Sequence, residues 1–146
     1  MENASKALIM AGGVLIGVLI ISLAVYLFAD FGAKSASINA QNAEKQLASF
    51  NSKFTSYETL EDITIYNIIT VKGYAIENNN RYDESNEEEK IYVQIGGQSI
   101  LEKKDTELIQ TYLNKTNGTI TKFKCNGIEY NDRGKIKSIN FFKLTI

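Results

Sequence analysis

Residues Ala7 to Ala29 read ALIMAGGVLIGVLIISLAVYLFA, an unbroken run of 23 mostly apolar residues between Lys6 and Asp30. A hydrocarbon core about 30 Å thick is crossed by roughly 20 helical residues, because each residue adds about 1.5 Å along the axis. The run therefore predicts one transmembrane helix. The apolar region of a secretory signal peptide is shorter, about 7 to 15 residues, so we expect this helix to be retained.

The composition of the chain argues against most kinds of chemistry. The 146 residues carry a net charge of -1, no histidine and a single cysteine, Cys125. A chain with no basic field is not expected to bind nucleic acid, and one without imidazole has no Ser-His triad or His-based metal site. A lone cysteine forms no internal disulfide. We also find no Gly-rich phosphate loop, so we expect no catalytic residues, no cofactor, no metal and no small-molecule substrate; the protein is not predicted to be an enzyme.

Two glycines within the span predict a contact with another helix. Gly13 and Gly17 are four residues apart and so share one face, where a second helix backbone can approach closely. The alternative is that glycine is simply frequent in membrane helices. The amino terminus and Lys6 precede the span, which favours a cytoplasmic N-terminus and a C-terminal part outside the cell.

The helical pattern continues beyond the span, because no proline interrupts it. A stripe recurs at steps of four and three residues through Ala36, Ala40, Ala43, Leu47, Phe50, Phe54 and Tyr57. This spacing predicts one helix from about Ser5 to about Ser56, with polar residues such as Asn51 on its other faces. The small alanines suit contact with another helix, whereas the four larger residues, Leu47 to Tyr57, suit packing against a globular head.

The next segment, residues 59–78, permits two interpretations. Thr59 and Asp62 have the spacing of a capping box, which predicts a helix ending near Asn78. The same stretch is rich in β-branched residues, which would suit a strand followed by a turn at Gly73. A polar, acidic loop follows up to Lys90.

The remaining residues predict mainly strands. Strands are expected at 91–95, 120–125, 128–130 and 135–144, with turns at Gly96-Gly97, Asn126-Gly127 and 131–134, and with a short helix capped by Asp105 and ending near Asn114. The predicted fold class is α+β. A long N-terminal helix, residues 1–57, carries a small antiparallel-sheet domain with one or two short helices, residues 58–146.

Charged residues of opposite sign are concentrated in two places. The loop 83–89 is acidic, and the terminal strands carry Lys122, Lys124, Arg133, Lys135, Lys137 and Lys143. Such patches are able to meet between copies, although lysine also commonly occupies the solvent face of a strand. The loop fits a calcium site poorly, because Glu88 and Gln94 stand where an EF-hand needs Gly and Glu. Two Asn-x-Thr motifs at 114–119 match the N-glycosylation pattern.

The layout of the chain, an apolar then amphipathic helix followed by a small sheet domain, resembles that of type IV pilins and related pilin-like proteins. The resemblance implies that the apolar helices pack into a filament core. Gly13 and Gly17 would then lie at contacts between helices. Ala36, Ala40 and Ala43, the first residues of the stripe, would extend these contacts beyond the membrane span. The family pairs an acidic residue with a neighbour's amino terminus; Glu2 is the acidic residue nearest that end here, although its position differs from the family's.

The function expected from this layout is that of a structural subunit. The chain would associate with itself, as a homo-oligomer or a pilus-like surface filament, through its N-terminal helix while anchored in the membrane. The alternative is a monomeric, membrane-tethered adaptor of a bacterial envelope, secretion or conjugation machine. The stripe from Ala36 to Tyr57 distinguishes the two functions. Alanines of the stripe that are exposed favour self-assembly, whereas complete packing of the stripe on the head favours the adaptor.

Overall fold

The structure is a computed structural model that describes residues 1–113 and 120–144. The chain divides into two compact units, Met1–Lys45 and Gln46–Ile146. The division lies before the predicted domain boundary at residue 57, and the residues between belong to the second unit. The two Asn-x-Thr motifs at 114–119 lie outside the described residues.

The first helix, α1, extends from Glu2–Thr55 and confirms the predicted long N-terminal helix. The first unit contains only this helix. Its large apolar side chains from Leu8 to Phe31 are exposed, and the helix is long and apolar enough to cross a membrane. Ser22, a polar residue within this stretch, donates its hydroxyl proton to Val18 O at 2.8 Å. The hydroxyl is thereby satisfied within its own helix, as a lipid environment requires.

The second unit joins the end of α1 to a five-stranded sheet and two further helices. The elements are β1 (Ile63–Thr64), α2 (Ile65–Asn79), a 3₁₀ turn (Glu87–Glu89), β2 (Tyr92–Ile95), β3 (Gln98–Ser99), α3 (Asp105–Tyr112), β4 (Lys122–Tyr130) and β5 (Ile136–Lys143). The strand order in the sheet is β1-β4-β5-β2-β3. The α+β class with a small sheet domain is therefore confirmed.

The prediction of an antiparallel sheet was wrong for one pair of strands. β2 and β5 run parallel, with Val93 opposite Ile139, whereas the other three pairs are antiparallel. A parallel neighbour needs a long crossover connection, and the chain between β2 and β5 supplies one that contains α3 and β4. Short-range turn signals do not reveal which strand such a crossover returns to.

One face of the sheet forms the core. Val93, Ile139 and Phe141 point to this face and are fully buried. The remaining core side chains come from the three α-helices, from β1, β2, β4 and β5, and from residues next to the strands: Phe54, Ile63, Ile65, Ile68, Val71, Ala75, Ile91, Ile95, Ile100, Leu108, Phe123 and Ile136. Buried and half-buried residues alternate along β2, which is typical of a sheet that is more fully covered on one side.

The helix interpretation of the 59–78 segment is correct, but the predicted start is wrong. Ile63 and Thr64 pair with β4, and α2 begins only at Ile65. The capping interaction joins Thr64 and Asn67, since the Thr64 backbone N–H and hydroxyl both donate to Asn67 Oδ1, at 2.9 and 2.8 Å. The β-branched Ile65, Ile68 and Val71 lie in a helix because burial on one helix face outweighs their strand propensity.

The turn predicted at Asn126-Gly127 is not formed. β4 continues through it with a bulge between Cys125 and Gly127, and Gly127 has a φ of 154°. The turn predicted at 131–134 is present and joins β4 to β5, with Gly134 at a φ of 76°. A glycine is required there because other residues rarely adopt positive φ.

Candidate self-association and packing surfaces

The small residues of the predicted helix contact are accessible in the first unit. Gly13 is exposed and Gly17 half-buried, and a Cβ added to either would meet nothing within 4 Å. Ala36, Ala40 and Ala43 are all exposed. Residues of this size leave room for the backbone of a second helix on each of these faces.

Glu2 forms a local ion pair. Its carboxylate lies 3.2 Å from Lys6 Nζ, one helical turn away, and both side chains are well exposed. Exposed pairs of this kind are weak, about 0.3 to 0.5 kcal/mol, so the carboxylate is accessible to a stronger partner.

The end of α1, which belongs to the second unit, packs on the core of that unit through aromatic rings. Phe54 is fully buried, its ring centroid lies 5.6 Å from that of Phe50, and it meets Tyr74 edge-on at 6.2 Å. Tyr57 is half-buried against the same core, and burial, followed by the nearby Tyr74, raises the pKa of its hydroxyl. Leu47 is half-buried, and its Cδ2 lies 3.9 Å from where a Cβ on Gly134 would stand.

The sequence pattern missed one residue of this attachment, Asn51. Its side-chain amide donates to Gly134 O at 2.7 Å, and its Oδ1 accepts the Ile136 N–H at 3.2 Å. Asn51 thereby binds the last residue of the 131–134 turn and the first residue of β5. Apolar periodicity does not detect such a residue, because it is polar and its partners are more than 80 positions away.

We expect Asn51→Ala to destabilise the second unit by about 1 to 3 kcal/mol, because the buried Ile136 N–H would lose its acceptor. Urea unfolding of the full chain in mild detergent, followed by tyrosine fluorescence, measures the change. Asn42→Ala is the matched control, since Asn42 is exposed on the same helix. Equal midpoints for the two variants would contradict the role given to Asn51.

The acidic loop and the basic terminal strand meet within one chain. Glu89 accepts from Lys135 Nζ at 3.0 Å and from Arg133 at 2.8 Å, and Asn131 Nδ2 donates to Glu88 O at 3.0 Å. The expectation that these charges pair between copies therefore does not hold for Glu89, Arg133 and Lys135. These three charged groups pair within the chain because the acidic loop lies directly beside the turn between β4 and β5.

The Lys135 side chain lies at the centre of this contact. Its ammonium is 4.5 Å from the centroid of the Tyr82 ring and 5.3 Å from that of Phe50, and it also donates to Glu89 O at 3.2 Å. The residue is only 9% exposed. This one cation, from the residue just before β5, thus contacts both α1 and the acidic loop.

Glu87, in the same loop, bonds to the open face of the sheet. Its carboxylate accepts from the Tyr92 hydroxyl, and from Lys90 Nζ at 3.0 Å. The Tyr92 hydrogen bond, with that from Lys90, lowers the pKa of the Glu87 carboxyl. No group of three or more Cys, Asp and Glu side chains arranged to hold a metal ion occurs within residues 1–113 and 120–144.

Cys125 is half-buried in β4, where burial raises the pKa of its thiol. A raised pKa keeps the sulfur in its less reactive protonated form at neutral pH.

Comparison of the chain with protein-family models, with curated proteins and with solved structures finds no match.

Proposed function

We propose that this protein is a membrane-anchored structural subunit that associates with itself through its N-terminal helix, as in a pilus-like surface filament. The apolar run Ala7 to Ala29 is the anchor, and the helices of neighbouring copies supply the packing partners. The second unit is the part displayed to solvent.

The exposed alanine segment of α1 is the observation that supports this proposal. From Phe31 to Lys45 every residue except Ser35 is exposed. The segment includes weak helix formers, Gly32, Ser35, Ser37, Asn39 and Asn42, which together disfavour the helix by about 3 kcal/mol relative to alanine. Helices of this length are marginal in water without tertiary packing. Contact along Ala36, Ala40 and Ala43 with a neighbouring helix would provide that packing.

The glycine and alanine faces point in different directions around the helix. At about 100° per residue, the Gly13 and Gly17 face lies about 130° from the face of Ala36, Ala40 and Ala43. A single straight partner helix cannot cover both. Two faces of different direction favour more than one neighbour for each subunit, as an open array requires.

Gly17→Leu tests the glycine face. We expect the variant to be inserted and folded but to lose filaments, because the leucine side chain separates the helix backbones. The measurement is electron microscopy of shear fractions from expressing cells, with mass spectrometry of the N-terminus of the recovered protein. Val18→Leu, one residue away, is the control and should assemble normally. Normal filaments from the Gly17 variant would exclude this face as an interface.

A tethered adaptor is the second candidate. It is favoured by one observation, the packing of Phe50, Phe54 and Tyr57 on the core of their own chain. Wild-type protein that forms no filaments and is monomeric after mild detergent extraction would support this candidate instead.

A further inference from the structure

The exposed alanine segment of α1, Phe31 to Lys45, joins the apolar span to the second unit. None of its side chains belongs to the buried core, and all its residues except Ser35 are exposed. In the described part of the chain its side chains form one ion pair, which is local: Lys34 Nζ lies 2.8 Å from Asp30. The helix in this segment therefore depends on local interactions.

The last turns of α1 are fixed by tertiary contacts. Phe54 is fully buried. The Asn51 side chain is hydrogen-bonded to Gly134 O at 2.7 Å and to the Ile136 N–H at 3.2 Å. Parts of a protein with few buried contacts open locally at a lower free energy than parts in the core. The exposed alanine segment, which is also rich in weak helix formers, should therefore open while the last turns of α1 stay closed.

Local opening of a helix exposes its backbone to proteases. An endoprotease cuts an extended chain, so a helix must unfold over several residues before a bond in it is hydrolysed. Where opening and closing are fast, the rate of cleavage follows the population of the open form. Hydrolysis of one peptide bond consumes one water and leaves a carboxylate on the anchor fragment and an amine on the released fragment.

The alanines of the segment lie within reach of a water-soluble enzyme. At about 1.5 Å per residue, Ala36 and Ala43 lie about 10 and 21 Å along the helix beyond Ala29, where the apolar run ends. The headgroup layer extends only about 5 to 8 Å beyond the hydrocarbon. Endoproteases of the elastase type have a small specificity pocket, which suits alanine.

We propose that the exposed alanine segment is a processing site, at which an endoprotease specific for small side chains cuts a subunit without helix neighbours and releases the second unit. The bonds after Ala36, Ala40 and Ala43 match this specificity. A neighbouring helix packed along these alanines would keep the segment closed, so assembled subunits escape cleavage. This protection rests on the proposed function, whereas cleavage of a free subunit does not.

Elastase digestion of the full chain in lipid vesicles, at an average of one copy per vesicle, tests the site. Mass spectrometry should find fragments that begin within residues 37–44 and end at Ile146. Ala48 is the matched control, because it is exposed on the same helix but is followed by Phe50 and Phe54, which pack on the core. The bond after Ala48 should survive the early digestion, and the released fragment should have the urea midpoint of the full chain in the same detergent.

Changes in helix propensity test the opening step. Gly32→Ala, Asn39→Ala and Asn42→Ala together should slow cleavage about 40-fold, since they favour the helix by about 2.3 kcal/mol and 1.4 kcal/mol is tenfold. A Cβ on Gly32 meets nothing within 4 Å, so the change is not strained. The new alanines add positions that elastase accepts, so slower cleavage would come from the helix. Gln46→Ala with Ser49→Ala is the control and should leave the rate unchanged, because it acts on turns that are already closed.

Filaments from shear fractions provide the comparison with assembled protein. The bonds that are cut in single-copy vesicles should be cut at least 10-fold more slowly in filaments. Wild-type protein that forms no filaments would count against the proposed function, and the vesicle digestion would then decide the processing site by itself. Resistance of the segment until the second unit unfolds, early cuts after Ala48, an unchanged rate in the triple variant, or equal rates in filaments and vesicles would each overturn the proposal.

Discussion

Phe54→Ala should destabilise the second unit by about 3 to 5 kcal/mol, the largest effect we expect from a single substitution. Phe54 is fully buried and packs against the rings of Phe50 and Tyr74. Its removal leaves a cavity between α1 and α2, because neighbouring elements relax only partly around a lost ring. Urea unfolding of the full chain in mild detergent, followed by tyrosine fluorescence, measures the loss.

Phe28→Ala is the matched control for Phe54→Ala. The same side chain is removed from the same helix, but Phe28 lies in the first unit and is 78% exposed. Its unfolding midpoint should equal that of wild type. A loss below about 1 kcal/mol for Phe54→Ala would contradict the packing role assigned to Phe54.

Glu89→Ala is expected to have the second largest effect, about 3 kcal/mol, since it leaves the ammonium of Lys135 without its carboxylate partner. The Lys135 side chain is 11% exposed, so water replaces the lost partner poorly. The backbone carbonyl of residue 89 and the Tyr82 hydroxyl would remain as its polar neighbours. The same unfolding measurement reports the change.

Lys135→Met separates the charge from the packing in this cluster. Methionine keeps an apolar stem beside Phe50 and Tyr82, and Glu89 keeps Arg133 as a partner. We therefore expect Lys135→Met to lose less unfolding free energy than Glu89→Ala. The double variant, with Glu89→Ala and Lys135→Met together, should be more stable than Glu89→Ala alone. A larger loss of stability for Lys135→Met than for Glu89→Ala would contradict the view that the unpaired ammonium causes the main cost.

Local chemistry was sufficient to predict several elements of this fold. The apolar run, the absence of proline and the stripe from Ala36 to Tyr57 predicted a single helix, observed as Glu2–Thr55. Gly96-Gly97 predicted the end of a strand, and both glycines have positive φ. These features depend on residues close in sequence, whose effects do not require the rest of the chain.

The surfaces of the proposed assembly were predicted only in part. The glycine and alanine positions follow from residue size and helical spacing, and their role in association stays a prediction. The contribution of Asn51 was not visible in the sequence, because it depends on which distant turn and strand lie beside it.

The sequence by itself therefore determined the long helix, its apolar span, the α+β class and the hairpin turn before β5. Tertiary structure decided the parallel pairing of β2 with β5, the start of α2 at Ile65, the bulge at Asn126-Gly127 and the pairing of Glu89 with Lys135 inside one chain. The physical reason is the range of the interactions. Helix periodicity and turn conformation depend on a few adjacent residues, whereas strand direction and ion pairing depend on contacts between segments far apart in the chain.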